Sequence, residues 1–165
     1  MTDSLLHRWQ AEVYDAFKDG APNGWLIGWD RDRLLNEVRD IARLADGCIN
    51  ATSFDYARCN RFELRIGAED RQHWVLTVRV SFVIDACSLH WTEYGPGGKS
   101  GKVVDGLDNK RTETLENETR SALEGRGFAE LPATWSALPM TGIALELSDP
   151  EDVTLGKCVF EDYDG

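Results

Sequence analysis

Between residues 46 and 61 the spacing of apolar side chains changes, and this change limits the fold more than any other feature of the chain. Ahead of it, Leu5, Trp9, Val13 and Phe17 recur every four residues with Leu6 beside them. Leu34, Leu35, Val38, Ile41, Ala42 and Ala45 make a second such stripe. Spacing near 3.6 places each set on one face of a helix. The first helix is predicted over Ser4 to Lys18, capped by Thr2, Asp3 or Ser4, and broken by the run Gly20 to Gly24. The second is capped by Asp30 or Asp32 and stops at Asp46-Gly47. Beyond the change, Phe62, Leu64 and Ile66 alternate with Arg61, Glu63 and Arg65, the period of a half-buried strand. After a turn at Gly67 to Asp70, Trp74, Leu76, Val78, Val80, Phe82 and Ile84 alternate with His73, Val75, Thr77, Arg79 and Ser81. A slip of one residue would put Arg79 in the core, so the register is strongly specified. A third strand follows a bend near Asp85, with Cys87, Leu89 and Trp91 inward and Ser88, His90, Thr92 and Tyr94 outward.

Gly95 to Gly106 reads as a polar loop rich in glycine. Lys110 to Glu124 reads as a third helix with Leu115, Ala122 and Leu123 inward. The stretch Leu131 to Met140 carries two prolines and is expected to be irregular. Ile143, Leu145 and Leu147 alternate as a fourth strand, and Val153 to Phe160 as a fifth that Gly156 weakens. The expected fold class is α+β: an antiparallel sheet of about five strands, two N-terminal helices and a third helix inserted before the last strands, all packed on one sheet face. No linker or repeat interrupts residues 1–165, which read as a single α+β domain.

The chain holds 29 Asp and Glu against 18 Lys and Arg, a net charge of −11. A field of that sign repels nucleic acid and anionic membrane surfaces and attracts basic proteins. More than half the excess lies between Glu146 and Gly165, where Glu146, Asp149, Glu151, Asp152, Glu161, Asp162 and Asp164 face only Lys157. These seven acids are the expected partner-binding surface. The arginines from Arg31 to Arg65 are interleaved with acids and read as solvated faces. No apolar run reaches the roughly 20 residues that span a bilayer. The start, Met1 to Trp9, has no basic segment ahead of an apolar one, so no secretory signal is expected. Cys48, Cys59, Cys87 and Cys158 form no C-x-x-C pair and read as reduced thiols, which points to the cytoplasm.

Catalytic motifs are absent. Gly95-Pro96-Gly97-Gly98-Lys99-Ser100 has Glu93 where a phosphate loop needs its first glycine, and no helix follows directly. The three histidines share no metal-ligand spacing with each other or with a cysteine, so no metal and no cofactor is expected. The short acidic end stops before a calcium loop could be completed. His73 and His90, with Glu93 and Tyr94, lie on or beside the polar faces of neighbouring strands and form a candidate ligand pocket or acid–base group. Of the six tryptophans, Trp9, Trp74 and Trp91 fall on apolar faces, whereas Trp25, Trp29 and Trp135 lie in connections.

Charge, size and the lack of catalytic motifs together suggest a binder rather than an enzyme. In these respects, though not in any motif, the chain is similar to small bacterial immunity proteins that block a basic toxin or effector by occlusion. The residues also admit a second reading, a small enzyme or small-molecule-binding domain with its pocket between helices and sheet. The sequence does not give the oligomeric state.

Overall fold

Thr2 opens the first helix by accepting the Leu5 N–H on its hydroxyl at 3.4 Å. In this computed structural model, which describes residues 2–104, 107 and 109–162, that helix is α1, Asp3–Ala16. Trp9 and Val13 bury its inner face, with Phe17 just past its end. The second helix, α2, is shorter than its stripe and covers Leu35–Ala42. It begins at Leu34, which has a φ of 69° and a buried side chain, rather than at a capping aspartate.

Six strands follow: β1 Gly47–Asn50, β2 Cys59–Ile66, β3 His73–Ser81, β4 Ala86–Tyr94, β5 Lys102–Val104 and β6 Ala129–Glu130. β1 to β5 pair antiparallel in chain order, and β6 runs parallel to β4. Leu64, Leu76 and Trp91 stand in one row across the sheet, and Phe62, Val78 and Leu89 in the next. The expected register therefore holds, with Arg79 on the face opposite Val78 and Val80. Part of the polar Gly95 to Gly106 loop is the strand β5; Asp105 and Gly106 lie outside the described residues. The third helix, α3, covers Lys110–Gly125 and starts at Asn109, whose side chain accepts the N–H groups of Arg111 and Thr112. It serves as the crossover that a parallel pair requires, and Gly127, at φ 90°, turns the chain back into β6.

Two expectations need correction. The helices do not share one sheet face. α2 and α3 cover the face bearing Phe62, Leu64, Leu76, Val78 and Trp91. The other face receives α1 and the C-terminal segment around Cys59, Ile84 and Ala86. Thr77 and Ser81, on the face read as polar, are buried as a result. Nor do the last two strands form. Residues 143–148 are irregular, and Leu155–Val159 is a short helix, α5, packed on the four-residue helix α4, Ala133–Ser136. Thr154 caps α5 by accepting the Lys157 N–H at 3.3 Å. Leu155, Cys158 and Val159 are buried at helical spacing. The fold is α+β with two N-terminal helices, a mixed sheet and a helix inserted before its last strand.

Candidate functional site

Of the seven acids expected to form one surface, the six among the described residues divide into two groups. Glu161 and Asp162 are buried, and Glu146, itself exposed, is tied to a buried arginine. Glu146 accepts two hydrogen bonds from Nη2 of Arg58, at 2.8 and 2.9 Å, and Arg58 is only 2% exposed. Burial pushes the Glu146 carboxyl up, but the Arg58 hydrogen bonds, a backbone hydrogen bond and the Arg58 charge together outweigh it, and the group stays below the usual carboxylate range. Asp162 is buried and accepts from Leu147 N–H at 2.6 Å and Ser148 Oγ at 2.5 Å. Glu161 is buried and takes Nη1 of Arg61 at 2.8 and 3.0 Å. Arg79 lies 3.6 Å from the same carboxylate. Asp149, Glu151 and Asp152 are exposed around a 3₁₀ turn, Pro150–Asp152. Asp164 lies outside the described residues. The arginines read as solvated are corrected in part. Arg58 is buried, and Arg33 bonds Asn60 and the carbonyls of Val80 and Ser81. Desolvation lowers the Arg33 pKa to about 10.

Of the four residues of the candidate ligand pocket, the structure brings His73 and Tyr94 together, but His90 and Glu93 stand apart from that pair. His73 is buried, stacks on Tyr94 with ring centroids 5.4 Å apart, and its Nδ1 lies 2.8 Å from the Arg71 carbonyl. His90 stands opposite Thr77, four register positions along β3 from His73. Glu93 stands opposite Trp74, on the other sheet face from His73, His90 and Tyr94, and bonds Gln72. Of the four, His90 alone lines a cleft of about 920 Å³ between the sheet, α4 and the C-terminal segment. Its pKa falls to about 4 because burial, then Arg79 and Arg61, disfavour the charged form.

Trp25, which the sequence places in a connection, is joined in the structure by Leu26 and Ile27 in a conspicuous exposed apolar turn. Leu26 is 87% exposed, Ile27 58% and Trp25 48%. The turn that presents them is firmly built. Asn23 Oδ1 accepts the Trp25 and Leu26 N–H groups at 2.9 and 3.2 Å. The Ile27 and Trp29 N–H groups bond the carbonyls of Asn23 and Gly24 at 3.1 and 2.9 Å. A Cβ on Gly24 would sit 2.5 Å from the Phe54 ring, so only glycine allows this close seating. The Trp25 ring packs edge-on against Phe54, and its Nε1 donates to the exposed Asp55 at 2.9 Å. Trp29 and Trp135, the other two tryptophans in connections, pack on Phe82 and Trp9. A hydrophobic triple that folding leaves in water on an ordered turn suits a partner contact better than a core. The signal was present in the sequence: an apolar run between Asn23 and Gly28 that matches neither period.

Comparison with family models, with curated proteins and with solved structures gives no match to this chain. Among the described residues, no helix is long and apolar enough to cross a membrane.

Proposed function

We propose that the chain is a binding protein whose partner is a basic protein, gripped by Trp25, Leu26 and Ile27 and steered by the surrounding negative field. The carrying observation is the preorganised turn that holds Leu26 at 87% exposure. A rigid anchor loses little conformational freedom on binding, so its burial goes largely into affinity. Asp55 sits on the Trp25 indole, and the exposed Asp30 and Asp32 follow on the same loop. Asp149, Glu151 and Asp152 add to the long-range field. Such a surface suits an immunity-type inhibitor that works in the cytoplasm and occludes the basic face of a toxin or effector. Because Glu146, Glu161 and Asp162 hold the fold together, the contact is centred on the turn rather than on the acidic C-terminal stretch.

A photo-crosslinking residue in place of Leu26, compared with one in place of the exposed Tyr14, tests this reading in cells of the source organism. The expected result is a discrete adduct from position 26 alone, with a basic protein that no longer binds Leu26→Asp. Equal labelling from both positions, or an acidic adduct, would reject it.

A further inference from the structure

The exposed turn has apolar neighbours from two other parts of the chain. Among the described residues, eight large apolar or aromatic side chains are exposed, and five of them, Trp25, Leu26, Ile27, Tyr56 and Leu147, belong to segments that hydrogen bonds tie together. Trp25 bonds Asp55, the chain neighbour of Tyr56. The Tyr56 carbonyl accepts the Asp162 N–H at 2.9 Å, and the Asp162 carboxylate accepts the Leu147 N–H at 2.6 Å. Arg58 makes a second link: Nε donates to the Pro22 carbonyl at 3.2 Å and Nη2 to Glu146 at 2.8 Å. One buried guanidinium thus reaches both the segment that enters the turn and the segment that carries Leu147. Single exposed apolar residues need no explanation, but an apolar strip built by three converging segments marks a contact. Charge selects the occupant. Asp55, beside Trp25, and Asp30, on the loop of the turn, are exposed and in no ion pair among the described residues. Arg58 is buried and presents no charge outward. A second copy of the chain, itself at −11, would set these carboxylates against their own counterparts in a two-fold contact. Lysine or arginine side chains facing Asp30 and Asp55 are complementary to them.

We infer that the contact extends from the turn across Tyr56 to Leu147, and that the basic partner offers an elongated apolar groove with Lys or Arg beside the pocket that takes the turn. This rests on the partner reading above and adds to it the second and third segments and the shape they fit. Leu26, the most exposed of the five, enters deepest, and Tyr56 and Leu147 seat the rest of the strip.

Photo-crosslinking residues placed singly at Tyr56, Leu147 and Val103 of the full chain, beside the one at Leu26, test the inference. Val103 is equally exposed but lies on β5, with β3 and β4 between it and β2. Positions 56 and 147 should capture the same basic protein as position 26, and position 103 should not. The sites reached on that protein should lie along one groove, with Lys or Arg beside the site reached from position 26. Once purified, that protein should bind Leu147→Gln at least about tenfold more weakly than the parent chain, Leu147→Met as the parent does, and Val103→Gln within about twofold. Thermal unfolding of Leu147→Gln should match the parent, because the side chain is exposed. An adduct from position 26 with none from position 147, or undiminished binding of Leu147→Gln, would overturn the inference and leave the partner reading standing. No discrete adduct from position 26 would reject both. Crosslinking of position 147 to a second copy, with a dimer in sedimentation of the chain alone, would overturn the inference in favour of self-association.

Discussion

Arg61 and Arg79 stand directly opposite each other on β2 and β3, an arrangement that repels unless something intervenes. Glu161 intervenes, arriving from the other end of the chain and reaching both guanidinium groups. Burial alone would favour the neutral form of Arg61, but the Glu161 and Glu63 carboxylates together outweigh it and raise the pKa. Removing one partner of a buried ion cluster strands the others, so Glu161→Gln should cost about 2–4 kcal/mol in urea unfolding. The exposed Asp149→Asn should stay within about 0.5 kcal/mol of the parent. Equal effects of the two would refute this division of the acids. His90 gives a pH prediction. Its folded pKa is lowered from 6.5 to about 4. Above about pH 6.5 both states are neutral and the group contributes no slope. As pH falls from there toward about 4, the unfolded chain takes the proton first, so this contribution to stability falls with pH. NMR titration should place the imidazole near 4, and His90→Gln should flatten the loss of stability across that window. An imidazole titrating near 6.5 would contradict the structure.

At the scale of elements, long periodic segments were legible and short ones were not. β2, β3 and β4 follow their alternation because the central apolar positions, such as Leu64, Leu76 and Trp91 or Phe62, Val78 and Leu89, fall in register on one face. β1, β5 and β6, of four, three and two residues, are too short to show a period. The alternation of Ile143, Leu145 and Leu147 misleads for a physical reason. Ile143 and Leu145 enter the core, but the Leu147 N–H goes to the Asp162 carboxylate instead of a ladder. In residues 153–160 both periods can be read, and the Thr154 cap with Leu155, Cys158 and Val159 selects the helix. Gly156 is not a weak strand position but the point where α5 meets α4. A Cβ there would lie 2.0 Å from Ser136 Oγ and 3.2 Å from its Cβ and carbonyl. Turning the hydroxyl aside relieves only the first contact. Gly156→Ala should therefore destabilise by about 1–2 kcal/mol as overpacking does, and Ser136→Gly alongside it should restore part of that. A neutral Gly156→Ala in thermal unfolding would show that the two helices do not meet there.

For the whole molecule, the net charge of −11 was plain in the sequence, but its division was not. Glu161 and Asp162 follow a run of apolar residues, and nothing local marks them as buried. Their positions depend on Arg61, Arg79 and Ser148, which are distant in the chain or on another element. The apolar run Trp25-Leu26-Ile27 was visible in the sequence, but its exposure was not, because three such residues could as readily have filled a core. Anchor and field should separate kinetically. Neutralising Asp149, Glu151 and Asp152 together should mainly slow association and flatten its salt dependence, because steering acts through the summed field. Loss of the anchor should mainly hasten dissociation. The central claim is therefore tested most directly by the dissociation rate of the basic partner that crosslinking identifies, measured without a crosslink from the parent chain and from Leu26→Ala at fixed salt. The account expects dissociation to quicken by about tenfold or more, a loss of at least ~1.4 kcal/mol, with association changed little. An unchanged dissociation rate in a folded Leu26→Ala protein would contradict it.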